Sequence, residues 1–212
     1  MRLTLVRHAE SFVNTSKLIG DQDTGLTSIG QQQCVHLASR RQEFANATVI
    51  VSDLPRAVET AHRVLEPGAS VTFDPRWRER YMGSVELTEE ELRIRYPAMR
   101  DFDGGGFFDA KTDDGESMAE VDSRVAVALK EVLSSPYDHV VVFTHGGPIL
   151  LTLCRLLGLD PRSHLRRFIV ENTAIATFQY NPSEINTILV AGWNDVSHLP
   201  VELRTGPSSK TI

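Results

Sequence analysis

The segment His139-Val140-Val141-Val142-Phe143-Thr144 constrains this chain more than any other. Three valines and a phenylalanine in unbroken succession leave no polar face, so the segment reads as a strand buried on both sides. It runs straight into His145-Gly146-Gly147-Pro148 and then an apolar helical stripe closed by Gly158. A doubly buried strand that feeds a helix is one unit of a mostly parallel sheet covered by helices. No sandwich or helical bundle needs such a segment.

The rest of the chain repeats that alternation. Arg2–Arg7 reads as a first strand, and Thr27–Phe44 as a helix whose face is built from Ile29, Cys34, Val35, Leu37, Ala38 and Phe44. Thr48–Ser52 is β-branched and strand-like; Asp53 offers an N-cap and Pro55 fits the first turn of the helix that follows. Pro67-Gly68 stops that helix, and Val71–Phe73 is another short strand. Thr88 with Glu91, and Ser117 with Glu120, have capping-box spacing ahead of two further helices. Ala174–Tyr180 and Thr187–Ala191 are the last strand-like runs. The expected fold is α/β, a three-layer αβα arrangement around a mostly parallel sheet. Residues 76–116 break the alternation and are read as a small cap inserted over the carboxyl ends of the strands. One domain over residues 1–203 is expected, with 204–212 a flexible tail.

Composition removes several function classes. The 212 residues carry 22 Lys plus Arg against 28 Asp plus Glu, a net charge of −6. That balance disfavours nucleic acid as a partner, because such binding rests on cation contacts to phosphates. Two cysteines, Cys34 and Cys154, make neither a disulfide framework nor a zinc cluster. No run of 18 uncharged apolar residues occurs, so no membrane span is expected. A cytoplasmic setting follows as the default.

In open α/β sheets the site forms outside the carboxyl ends of the strands. The first strand ends in Arg7-His8, the second leads to Arg56 in the first turn of a helix, and the strongest strand ends in His145-Gly146-Gly147. Three strand ends therefore bring two arginines and two histidines to one edge. Two of them also open helices, whose free N–H groups attract anions. An acidic chain that collects cations there implies an anion pocket, with phosphate the usual occupant.

The motifs are more specific than their residue types. Leu5-Val6-Arg7-His8-Ala9-Glu10-Ser11, then Asn14, resembles the Arg-His-Gly-Glu-Thr signature of the histidine phosphatase superfamily, in its phosphoglycerate-mutase-like branch. Leu26-Thr27 with Gly30 and Gln33, Ser52–Ala57, Arg78–Gly83, Gly115-Glu116-Ser117, Thr144–Gly147 and Asn172-Thr173 are similar to that family's later blocks, in order. The resemblance implies a phosphohistidine mechanism: His8 as nucleophile, Glu79 as general acid/base, and His145 in support. It also implies that Arg7, Asn14, Arg56, His145 and Gly146 hold the phosphoryl group. It implies no metal or other cofactor, a small-molecule phosphate monoester as partner, and a fold for which a homodimer would be unsurprising. Asp21 and Asp23 have no third carboxylate at metal-ligand spacing.

Ala9 stands where the family has Gly, a change that is costly only if the position needs positive φ. Glu86 stands where a second Gly often follows Gly83, so a carboxylate could acidify the pocket mouth. From residue 86 to 116, ten acids face four bases. A lid so acidic suits a modestly charged ester better than a bisphosphate, which favours hydrolysis over mutase chemistry. Gly104-Gly105-Gly106-Phe107-Phe108 reads either as a lid with an aromatic tip, Phe107 and Phe108 contacting an apolar leaving group, or as a satellite hydrophobic cluster under a loop. A mutase would share every catalytic residue named, and a non-catalytic binding relative would keep only the fold. An α/β-hydrolase needs a Gly-x-Ser-x-Gly elbow, which is absent.

Overall fold

The protein is described from a computed structural model covering residues 1–19, 24–101, 105–181 and 187–206. Asp21, Asp23, Gly104 and the chain beyond Gly206 lie outside the described residues. Strand β1 (Arg2–Arg7) leads through a single turn, α1 (Phe12–Thr15), and a short strand, β2 (Leu18–Ile19), to helix α2 (Ser28–Ala38). Then β3 (Thr48–Val51), α3 (Pro55–Val64) and β4 (Val71–Phe73) continue the alternation. The middle of the chain holds β5 (Leu87–Thr88), α4 (Glu89–Arg95), α5 (Gly106–Asp109) and α6 (Met118–Leu133). Finally come β6 (His139–Thr144), α7 (Gly146–Leu157), α8 (Pro161–His164), β7 (Ile175–Asn181) and β8 (Thr187–Asp195).

Six strands form one sheet in the order β4-β3-β6-β1-β7-β8. The pairs β4–β3, β3–β6 and β6–β1 are parallel, and β1–β7 and β7–β8 are antiparallel. The mostly parallel α/β expectation therefore holds. Strand β6 lies at the centre, and the two-residue period of its side chains sorts it between two cores. Val140 and Val142 join Leu3, Leu5 and the apolar faces of α6 and α7. Val141 and Phe143 join Val6, Val51 and the faces of α2 and α3. Both sides of β6 are dry, which is why it needs apolar residues at successive positions. The capping boxes at Thr88 and Ser117 are both formed.

Four expectations are corrected. The helix read over Thr27–Phe44 stops at Ala38, and Arg41–Phe44 is a separate 3-10 turn. Ser39 Oγ donates to the His36 carbonyl, and Arg40 is drawn to Glu43 and Asp195, so the chain bends there. The buried face of α2 is Gly30, Gln33, Cys34 and Leu37, while Ile29 and Val35 are exposed. Gly30 must be glycine because a Cβ there would lie 2.0 Å from the Glu10 carbonyl oxygen. Asp53 does not cap α3: the N-cap position is Leu54, and the Asp53 carboxylate grips Arg78 in a fork-to-fork pair. The segment read as a tail from 204 is docked as far as Gly206. There Asn172 N–H donates to the Thr205 carbonyl at 2.9 Å, and Gln33 Nε2 donates to Leu203 O and Thr205 Oγ1.

Candidate active site

Strand register assembles the site. Arg7 pairs with Thr144 across β1 and β6, so His8 and His145 leave adjacent strands at the same level. Their rings lie 5.0 Å apart, centre to centre. On the other side of β6, Val51 pairs with Phe143, which brings Ser52 next to His145. Helix α3 follows, with Arg56 in its first turn. Thr60, one turn later, donates to the Arg56 carbonyl and accepts from Ala9 N–H, tying α3 to the His8 loop. Ala9 is buried and not among the positive-φ residues, so the Gly-to-Ala departure carries no backbone strain.

The four side chains are deeply buried: Arg7 is 8% exposed, His8 3%, Arg56 2% and His145 0%. Burial lowers the proton affinity of His8 well below the ordinary imidazole range, and the Arg56 and Arg7 charges lower it further. His145 is depressed by burial first, then by Arg56, His8 and Arg7. Even the Arg7 guanidinium is brought down to about 10, chiefly by burial and against the pull of Glu79. Both imidazoles are therefore neutral at pH 7. His8 Nδ1 lies 2.7 Å from the Ala9 carbonyl oxygen, which can only accept, so the proton sits on Nδ1 and the lone pair on Nε2. His145 Nε2 lies 2.8 Å from Ser52 Oγ, while its buried Nδ1 has no partner among the described residues. Arg7 Nη1 donates to the Val170 carbonyl at 2.5 Å, and its buried Nε is likewise unpartnered there. Buried polar atoms without partners are costly, and an anion between them would satisfy both.

Glu79 stands across from this floor. Its carboxylate accepts from Gly147 N–H and Arg80 N–H, both at 3.0 Å. A Cβ at Gly147 would lie 2.3 Å from Glu79 Oε1, so the carboxylate reaches helix α7 only because that residue is glycine. The Glu79 backbone is held by Arg124 of α6, whose guanidinium donates to the carbonyls of Arg76, Arg78 and Glu79. Thr144 Oγ1 fixes the same segment through the Trp77 carbonyl.

The sequence-read residues divide unevenly. Arg7, His8, Arg56, Glu79, His145 and Gly146 gather at one edge. Asn14 is exposed on α1; its Oδ1 accepts from Ser11 and from Asn172 Nδ2, and Asn172 Nδ2 also donates to the His8 carbonyl. Phe107 borders the cavity above the floor, but Phe108 is buried in the core and does not. Ser52 and Asn172 lie in blocks that the sequence picks out without giving either a role, and Thr60, Arg124 and Val170 are given none. Arg124 had a detectable signal, a charged residue on the helical face shared by Val121, Val125 and Ala128. The Val170 contact uses a backbone carbonyl, which no side-chain motif reveals.

The cavity beside Glu79 has a volume of about 420 Å³. Its floor includes Arg7, Glu79 and Gly146, and Met82, Met99, Met118 and Phe107 are among its walls. The acidic-lid expectation is not met at this surface. Among the described residues of 86–116, those on the wall are Leu92, Met99, Arg100 and Phe107, with no carboxylate. Glu86 is exposed outside it. The acids are taken up in ion pairs: Glu89 with Arg100 of the wall, and away from it Glu90 with Arg93, Asp109 with Arg162 and Glu116 with Arg124. Among the described residues no three His, Cys, Asp or Glu side chains cluster as metal ligands would. Among the described residues no helix is long and apolar enough to cross a membrane.

Comparison with known proteins agrees with this geometry. Residues 3–195 match the histidine phosphatase superfamily (branch 1). A probable phosphoglycerate mutase GpmB of Salmonella arizonae is 34% identical, over 94% of this chain and 95% of that protein. The phosphoserine phosphatase of Entamoeba histolytica superposes with a TM-score of 0.78 at 23% identity, over 94% of this chain and 99% of that one. A mycobacterial glucosyl-3-phosphoglycerate phosphatase, solved with VO3, gives a TM-score of 0.74 at 26% identity, over 91% and 98%. The family match runs over residues 3–195 and the Salmonella arizonae relative is 34% identical over nearly its whole length, so the chain belongs to the histidine phosphatase superfamily, branch 1.

Proposed function

We propose that the protein hydrolyses phosphate monoesters through a phosphohistidine on His8. One observation carries this reading. His8 is a buried neutral imidazole whose Nδ1 is tied to a carbonyl, leaving the Nε2 lone pair beside two buried guanidiniums. In the first step that lone pair attacks phosphorus and the phosphorus–oxygen ester bond breaks. Its electrons pass to the ester oxygen, which takes a proton from the Glu79 carboxylic acid. In the second step water attacks phosphorus and gives a proton to Glu79, and the phosphorus–nitrogen electrons return to Nε2. Inorganic phosphate leaves.

Arg7, Arg56 and the Nδ1–H of His145 stabilise the phosphoryl oxygens as charge develops on them, on a floor of buried side chains. Gly146 opens α7, whose positive end adds to that field. Asn14 supplies an amide donor at the rim through its Nδ2, because its Oδ1 is held by Ser11 and Asn172. These roles require no metal.

A mutase would use the same floor, and the name of the 34% identical relative favours that reading. It must also seat a second anion where this cavity offers mostly carbon, so water is the better acceptor here.

The test is turnover of p-nitrophenyl phosphate and of an alkyl phosphate by wild type and two variants. His8→Ala should lose about 10⁴–10⁶ in kcat on both esters, as removal of a catalytic nucleophile does. Glu79→Gln should lose about 10²–10⁴ on the alkyl ester, whose alkoxide must be protonated as it leaves. It should lose far less on p-nitrophenyl phosphate, whose leaving group is stable as an anion. Equal losses on both esters would remove Glu79 as the acid. Undiminished turnover by His8→Ala would remove the mechanism.

A further inference from the structure

We propose that the 420 Å³ cavity beside the His8 floor seats the alcohol half of the substrate and selects apolar alcohols, alkyl or aromatic, over carboxylated ones. The inference rests on the phosphoryl-transfer reading of that floor and adds the substrate class. The volume is that of a small-molecule site. Its wall carries three methionines, Met82, Met99 and Met118, together with Phe107, Leu150 and Phe168. Thioether side chains adapt to irregular apolar shapes, so this wall fits carbon of varied outline.

Three arginines also border the cavity: Arg80, Arg100 and Arg166. Two of them hold the wall together. Arg80 donates from Nε to the Glu116 carbonyl at 2.7 Å and from Nη2 to the Ala110 carbonyl at 2.5 Å, and its guanidinium lies over the Phe107 ring. Arg100 is paired with Glu89. A carboxylate entering the cavity would give up its water for a wall of sulfur and carbon, facing cations already engaged with the fold. An apolar alcohol gives up nothing and removes its own surface from water.

Calorimetric titration with n-alkylphosphonates, which keep the anion and cannot be hydrolysed, reads the cavity independently of turnover. Affinity should rise about fourfold per added methylene, the equivalent of ~0.8 kcal/mol for a buried CH₂, or roughly 250-fold from methyl to pentyl. Propylphosphonate should bind more tightly than 3-phosphonopropionate of the same length. A flat chain-length series, or tighter binding of the carboxylated compound through Arg166, would overturn the proposal. Met82→Lys, at a partly exposed wall position, should reduce the gain per methylene. If that variant does not fold, the wild-type series alone decides. Turnover of p-nitrophenyl phosphate on the same preparation keeps the two claims apart. Turnover without chain-length dependence sinks only the substrate class. Chain-length dependence without turnover sinks the hydrolase reading and still supports the apolar cavity.

Discussion

Arg7, His8, Arg56 and His145 are each less than a tenth exposed and hold cationic charge against two neutral imidazoles. A few ångströms away, the wall with Met82, Met99, Met118 and Phe107 is soft, largely uncharged and fastened from outside by ion pairs such as Asp109–Arg162 and Glu116–Arg124. The floor is a poor solution for stability, because like charges are buried together and polar atoms lack partners. The wall is a better one, since its carbon is buried and two of its cations are partnered, Arg80 by backbone carbonyls and Arg100 by Glu89. The difference is what the proposed function explains: folding alone would not assemble the floor, whose composition suits a phosphoryl anion, while the wall suits a group attached to that anion.

The sharpest way to break this contrast is to remove a floor cation. Arg7→Met should lower kcat/KM by about 10³–10⁵, the range for an arginine that stabilises a transferring phosphoryl group. Inorganic phosphate, which should raise the Tm of wild type by binding only the folded state, should lose most of that effect in the variant. Kinetics and thermal melts read both. A loss under tenfold would mean that Arg7 serves the Val170 contact rather than the substrate.

A smaller effect concerns pH. Both floor imidazoles have folded-state proton affinities below the unfolded value of about 6.5. The unfolded chain therefore binds more protons in the window below that value, and stability falls as pH drops through it. Above it both states are neutral there and the penalty vanishes. Tm should decline from pH 7 to pH 5 in the free protein. It should decline less in His8→Ala, and less with phosphate bound, because an anion restores proton affinity to the imidazoles. Equal slopes in all three would deny that the floor is strained by charge.

Much of this contrast was legible in the sequence, and unevenly so. The strand ends carrying Arg7-His8, Ser52 to Arg56 and His145-Gly146 follow from buried apolar strands and the rule that sites form at their carboxyl ends. The wall was misread. Counting charge from 86 to 116 says nothing about which way each carboxylate turns: Glu90 and Asp109 pair with arginines outside the cavity, and Glu89 pairs with Arg100 on its wall. Helix α2 was misread for a related reason. Its buried face holds Gln33, whose amide accepts from Glu10 N–H and donates to Leu203 O and Thr205 Oγ1, so polarity there marks a junction and not solvent. Periodicity finds apolar faces; it does not find polar groups satisfied across distant chain segments.

The smallest expected effect separates scaffold from site. Ser117→Ala removes the hydroxyl that accepts from Glu120 N–H at the start of α6, the helix that also bears Arg124. It should cost about 1 kcal/mol of stability by denaturant titration. The kcat on p-nitrophenyl phosphate should change less than twofold, since Arg124 still holds the Glu79 backbone. A larger fall in kcat would show that the mouth of α6 sets the position of Glu79.

The central claim is tested most directly by trapping the covalent intermediate. The protein would be mixed with a rapidly cleaved ester and quenched in base, where a phosphorus–nitrogen bond survives, and the modified peptide then mapped by mass spectrometry. The account predicts one phosphoryl group on His8, attached at Nε2 because Nδ1 is held by the Ala9 carbonyl. A phosphoryl group on any other residue, attachment at Nδ1, or steady turnover with His8 never modified would contradict it.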